Sequence, residues 1–110
     1  LQGKTVSPGS YTGRVAIVLT HSDLRKVCDG DVVVSPMTDP YFLSAIVRAG
    51  ALVTDEGGVL SHAAIISREF RIPGVVGTGN ATAVLKDGMV VAVDATGDVA
   101  HVTPLTSANR

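Results

Sequence analysis

The chain has 110 residues, with nine Lys and Arg against ten Asp and Glu, and a formal net charge of −1 at pH 7. Hydrophobic residues make up 45% and aromatics only 4%, which fits one compact domain whose core is built from Val, Ala, Ile and Leu, with no linker that argues for two. No Lys or Arg block forms a stripe and no apolar run approaches the roughly 20 residues that span a bilayer, so nucleic acid and membranes are not expected as partners.

The chain opens on Leu1, with mostly polar, unpatterned residues at both ends, as expected of a segment excised from a longer polypeptide. Gly3 to Gly13 contains Ser7-Pro8-Gly9-Ser10, which is turn chemistry, and the segment reads as a loop. Arg14 to Leu19 is β-rich and reads as the first strand, and Ser22 to Val27 as a short helical turn. Cys28 is the only cysteine, so it has no internal disulfide partner, which suits a reducing cytoplasm. It is expected as a small, buried or half-buried apolar residue. Asp29-Gly30-Asp31 is a turn before Val32-Val33-Val34, an unbroken apolar strand of the kind buried on both faces.

Thr38-Asp39-Pro40 starts a helix well, since a Thr or Asp caps and proline suits the first helical position. Gly50 can end it, and Phe42, Leu43, Ile46, Val47 and Ala49 recur near a 3.6-residue period. Ala51 to Thr54 is a second short buried strand. After Gly57-Gly58 a helix is expected from about Ser61 to Phe70, with Ala63, Ile66 and Phe70 on one face. Ile72-Pro73-Gly74 stops it. Val75-Val76 is a small strand, Ala81 to Leu85 a turn or one-turn helix, and Met89 to Val102 a hairpin turning at Thr96-Gly97. The order of elements implies an α/β fold, a layered mixed sheet with helices and a C-terminal hairpin.

The chemistry concentrates at His62. It follows two glycines and stands at the start of an apolar helix, where unpaired N–H groups and a partial positive charge suit an anion. A phosphoryl-accepting imidazole must be unprotonated, and an ordinary pKa near roughly 6.5 leaves most of it so at about pH 7. Gly57 and Gly58 allow the backbone to come close to a phosphate, Ser61 is the natural cap, and Ala63 and Ala64 leave room beside the ring. On spacing alone the favoured reading is a plain turn and an ordinary early-helix histidine with a satisfied ring. His21 and His101 lack a paired-glycine loop and read as ordinary histidines.

The run Gly57-Gly58-x-x-Ser61-His62-Ala63-Ala64-Ile65-Ile66-x-Arg68-Glu69-x-x-Ile72-Pro73-x-Val75-Val76-Gly77 closely resembles the phosphohistidine signature of the PEP-utilising enzymes. That family includes phosphoenolpyruvate synthase, pyruvate phosphate dikinase, the first enzyme of the sugar phosphotransferase system and the rifampicin phosphotransferases. The similarity runs more loosely from about Gly9 to Val102, through Gly30-Asp31, Thr38-x-Pro40, Thr54-Asp55 and Ala81-Thr82. The resemblance implies a swivelling β/β/α mobile domain in which His62 is transiently phosphorylated and the Gly57-Gly58 loop positions it. It further implies that Ser61 and Thr38 bond the ring or phosphate and that Arg68 meets phosphate or a docking carboxylate. Glu69 matches the signature but, as a carboxylate, reads as structural. Leu60 departs from the threonine of many dikinases and synthases, which leaves the branch and substrate open.

The resemblance thus implies a phosphoryl-carrier domain spanning residues 1–110, unable to turn over alone. The chain has no nucleotide-binding glycine–lysine loop and no acidic metal cluster near His62. The expected partners are therefore an ATP-grasp-type nucleotide-binding domain and a PEP/pyruvate-type barrel or other acceptor domain. No cofactor is expected on this domain, and Mg²⁺ is expected at the partners' active sites. The competing readings are a non-catalytic binding or regulatory module that kept the fold and, more weakly, a metal-dependent hydrolase domain.

Overall fold

In the computed structural model, which describes residues 1–106, seven strands close into a barrel. They are β1 (Gln2–Ser7), β2 (Gly9–Ile17), β3 (Val32–Ser35), β4 (Ala51–Thr54), β5 (Gly74–Val76), β6 (Val90–Ala95) and β7 (Val99–Pro104). Their order around the barrel is β1-β5-β4-β3-β2-β6-β7, and β1 closes it by pairing antiparallel with β7. The strands β2 to β5 form a parallel block; β1, β6 and β7 add antiparallel pairs. The sheet is mixed and ends in the hairpin β6–β7, with Val93 opposite Val102. The expectation of a layered mixed sheet does not include closure; the mixed sheet curls into a barrel, which leaves no free sheet edge.

The N-terminal segment causes that difference. Gly3 to Gly13, expected as a loop, supplies most of β1 and the first half of β2, with Pro8 alone between them. The glycines there mark close approach rather than a turn. A Cβ on Gly13 would lie 2.8 Å from the Gly30 carbonyl and 2.7 Å from the Tyr11 ring.

The strands bury different residues on their two faces. Val15, Val32, Val34, Ala51, Val53, Val75, Val91, Val93 and Val102 form one core inside the barrel, with Ala81 and Leu85 completing it. Ala16, Val33, Leu52 and Val76 point the other way, into a second core under the helices with Phe42, Ile46, Ala64 and Ile66. This is why Val32-Val33-Val34 is apolar without alternation.

The connections between the parallel strands cover that outer face. A 3₁₀ turn, His21–Lys26, follows β2. Another, Pro40–Phe42, runs into α1 (Leu43–Ile46), so the helix expected up to Gly50 is a short composite. It buries Phe42, Ala45 and Ile46, while Leu43 and Val47 face outward. The long connection α2 (His62–Glu69) packs against β1, β4 and β5, and α3 (Ala81–Val84) follows β5. The buried face of α2 is Ala63, Ala64, Ile66 and Ser67. Phe70 leaves that face because the helix ends at Glu69 and Arg71, at φ 57°, turns the chain away. Cys28 is exposed, not buried. It sits in a turn where Asp31 Oδ2 accepts its backbone N–H at 2.9 Å. Among the described residues no helix is long and apolar enough to cross a membrane.

Candidate functional site

The strands β4, β3 and β2 are parallel neighbours, so the loops leaving their carboxyl ends lie side by side. Carboxyl ends of parallel strands are where α/β sheets bind ligands. The loop after β4 carries Gly57, Gly58, Ser61 and His62, the loop after β3 carries Thr38, and the turn after β2 begins with His21.

Ser61 sets the start of α2. Its backbone is extended, its Oγ accepts from the Ala64 N–H at 3.3 Å, and its hydroxyl donates to the Gly58 carbonyl at 2.8 Å. The loop is thereby tied to the helix it precedes. His62 is the first helical residue and is half-buried. Among the described residues the backbone N–H groups of His62 and Ala63 have no hydrogen-bond partner, the usual state of a first helical turn. Gly57 has φ 113°, a left-handed conformation that favours glycine, and a Cβ there would lie 3.0 Å from Ser61 Oγ.

The ring of His62 is fixed from the neighbouring strand. Its Nδ1 is 2.8 Å from Oγ1 of Thr38, a residue that is itself buried. Nε2 has no hydrogen-bond partner among the described residues. Met37, Thr38, Glu56, Gly57, Ser61, His62 and Ala63 line an open groove of about 320 Å³. A ring nitrogen without a hydrogen-bond partner, beside unpaired N–H groups at a helix start, is suited in its unprotonated form to attack and hold an anionic group.

Residues 27–97 match the family described as PEP-utilising enzyme, mobile domain, and this span contains Thr38, both loop glycines, Ser61 and His62. The chain belongs to that family. The mobile domain is 53% identical over 96 residues to phosphoenolpyruvate synthase of Pyrococcus furiosus, which covers 87% of the chain but only 12% of that relative. The chain thus spans about an eighth of the length of the curated relatives it matches. Among solved structures, a solution structure of Enzyme I (nEIt) superposes with a TM-score of 0.59 at 33% identity, over 72% of this chain and 33% of that one. Aconitase X of Thermococcus kodakaraensis superposes at 0.63 with 19% identity, over 96% of this chain and 99% of that one, and shares the fold alone.

The fold gathers the residues expected at the site unevenly. His62, Thr38, Ser61 and Gly57 line one groove, while Gly58 stands exposed at the loop's tip with open space around it. Arg68 does not line the groove. Its Nε donates to the Val6 carbonyl at 2.7 Å and ties α2 to β1. Glu69 is exposed at the end of α2, and His101 is exposed on the hairpin, paired across it with Asp94.

Two further residues stand beside this row: His21, read from the sequence as an ordinary histidine, and Asp39, read only as a helix cap, which it is. His21 Nε2 lies 2.5 Å from Asp39 Oδ2, one residue beyond the Thr38 that holds His62. The hydrogen bond from His21 holds the Asp39 carboxyl below the usual carboxylate range, with smaller help from the Tyr41 N–H and the charges of His21 and His62. His21 and Asp39 are 18 positions apart, and no spacing rule links them; the adjacency of β2 and β3 does.

Proposed function

We propose that this mobile domain is a phosphoryl carrier in which His62 is transiently phosphorylated on Nε2. The observation that carries this reading is the Thr38–His62 contact. That contact engages Nδ1 and leaves Nε2 without a hydrogen-bond partner among the described residues, so Nε2 is the nitrogen open to a donor. For the attack the ring proton sits on Nδ1, towards Thr38 Oγ1, and the lone pair on Nε2. Nε2 attacks the phosphorus of the donor, an N–P bond forms, and the P–O bond to the donor's leaving group breaks. In the second step an oxygen of the acceptor attacks the same phosphorus and the N–P bond breaks, returning the lone pair to Nε2. Splitting the transfer in this way replaces one difficult step by two easier ones. The free N–H groups at the start of α2 oppose the negative charge of the bound phosphate, and the glycine loop lets donor and acceptor approach.

The donor and acceptor sites belong to other domains of a longer enzyme. The chain spans 12% of its phosphoenolpyruvate synthase relatives, which leaves length for an ATP-grasp-type nucleotide-binding domain and for a PEP/pyruvate-type barrel or another acceptor domain. The domain swings between them by rotation about its ends. Mg²⁺ is assigned to those partners. Glu56 is the carboxylate that lines the His62 groove, and no group of three or more ligating side chains lies together among the described residues. A free, exposed Cys28 fits a cytoplasmic setting.

The test is to incubate the chain with the remaining enzyme, Mg²⁺ and either labelled ATP or labelled phosphoenolpyruvate. An acid-labile, base-stable label on His62, abolished in His62→Ala, is expected. Absence of label with both donors would sink the carrier in favour of a binding or regulatory module.

A further inference from the structure

The His62 groove is one end of a longer surface feature. It shares Met37 with a neighbouring depression of about 460 Å³. That depression shares His21 with a third, of about 500 Å³, which lies between the 3₁₀ turn His21–Lys26 and the helical segment from Pro40 to Arg48. The three form a continuous strip that starts at the carboxyl ends of the parallel strands and runs down the flank of the barrel.

The strip changes character along its length. At the His62 end Glu56 lines the groove, and its carboxylate is in no ion pair among the described residues. The middle is apolar, with Leu19 and Met37 exposed at 61% and 60%, and the one carboxylate there, Asp39, is taken up by His21. At the far end Arg25 and Arg48 are exposed and in no ion pair among the described residues. Lys26, next to Arg25, is instead held by Asp23 and Asp87. Tyr41 beside the two arginines is 71% exposed. Met, Tyr and Arg are the types that gather at protein interfaces. A small anion is held by convergent groups in an enclosed pocket, whereas every unpaired charge on this strip is exposed, so the strip suits a broad protein face.

We propose that this strip is the face by which the mobile domain docks on the domain that presents the phosphoryl donor, with Arg25 and Arg48 seated against carboxylates of that partner. The partner further bears apolar side chains opposite Leu19 and Met37 and a cation opposite Glu56. Its identity as the donor's domain rests on the phosphoryl-carrier reading. Attack by Nε2 needs the phosphorus within roughly 3–3.5 Å. The surface that holds the donor must therefore lie against the rim of the His62 groove, and Met37 belongs to both that rim and the apolar middle of the strip. A donor phosphate is itself surrounded by cations, which sets positive charge beside Glu56. With opposite signs at its two ends, the strip attracts such a partner in one direction only.

The experiment measures the KM of the chain as a substrate for the remaining enzyme, with Mg²⁺ and labelled ATP or phosphoenolpyruvate. Supplied as a separate molecule, the chain gains nothing from tethering, so its KM reads docking. The double variant Arg25→Glu, Arg48→Glu should raise that KM by about tenfold with kcat unchanged, the scale of two surface ion pairs turned to repulsion. At roughly 0.5 M salt the rise should shrink to within about twofold, because screening is stronger there. Leu19→Ser, on the apolar middle, should raise KM by about threefold at either salt. Lys4→Glu, Arg71→Glu makes the same change of charge on β1 and beyond the end of α2, and should leave KM unchanged. An unchanged KM in the Arg25, Arg48 variant, or an equal rise in the Lys4, Arg71 variant, overturns the proposal. Saturable binding of inorganic phosphate at Arg25 and Arg48 alongside an unchanged KM also overturns it, in favour of a small-anion site. If even the wild type takes no label, the carrier reading fails. NMR shift changes in the chain on adding the remaining enzyme then locate the docked face, and changes that leave out Leu19, Met37 and Arg48 overturn it.

Discussion

Gly57 and Gly58 look alike in the sequence but meet different surroundings. Gly57 is held at φ 113° with Ser61 where a Cβ would go, whereas a Cβ on Gly58 would meet nothing within 4 Å. Gly57→Ala should therefore lower stability by about 1–2 kcal/mol, the scale of a strained left-handed residue. Gly58→Ala should leave stability unchanged or raise it by up to about 1 kcal/mol, because it restricts the unfolded chain. Urea unfolding of the two variants measures the difference, and equal destabilisation would contradict this division. If Gly58 is the glycine that lets phosphate approach, Gly58→Ala should still slow labelling of His62, by about tenfold. Leu60 belongs to the same scale. It is 84% exposed, so core packing does not account for a leucine there.

At the scale of elements, α2 carries both the proposed nucleophile, His62, and the joint that seats it. Ser61 caps its start, small and apolar residues bury one face, and Arg68 reaches across to β1. Arg68→Ala should cost about 1 kcal/mol, since it removes one hydrogen bond from a side chain that is partly in water. The rate of His62 labelling should stay at the wild-type value. Thermal unfolding and a labelling assay separate the two effects, and lost labelling at unchanged stability would return Arg68 to the phosphate site. The signature arginine is legible in the sequence. Its bond to Val6 is not, because the partner strand lies 62 positions away.

For the molecule as a whole, acid is the informative perturbation. Asp23 and Asp39 are both held below the ordinary 3.8, Asp23 by the Leu19 and Thr20 N–H groups and Asp39 by His21 and then Tyr41. A depressed carboxyl supports the fold while ionised, so its contribution is complete above its unfolded pKa and is lost as pH falls through its folded pKa. Both groups are exposed and screened by solvent, so on this account melting temperature should hold steady from pH 7 to about 5 and fall only slightly below about 4. In the double variant Asp23→Asn, Asp39→Asn that acid-dependent fall should be smaller; an equally steep fall would place the acid sensitivity elsewhere.

Local patterns are enough to read several parts of this protein from its sequence. The strands at Val32, Ala51 and Val75, the proline stop before Gly74, the cap at Ser61 and the hairpin beyond Met89 each depend on residues a few positions apart. The motif around His62 is equally local, which is why the family is legible and His62 stands out as the candidate nucleophile. Closure of the barrel is not, because β1 must find β5 and β7 across the whole chain, and glycines that allow close approach read as loop residues. Thr38 as a partner of the ring is implied by the family resemblance alone, and the pairing of His21 with Asp39 is hidden for the same reason as the closure of the barrel. Thr38 reaches His62, and His21 reaches Asp39, only because parallel strands bring distant loops to one end of the sheet.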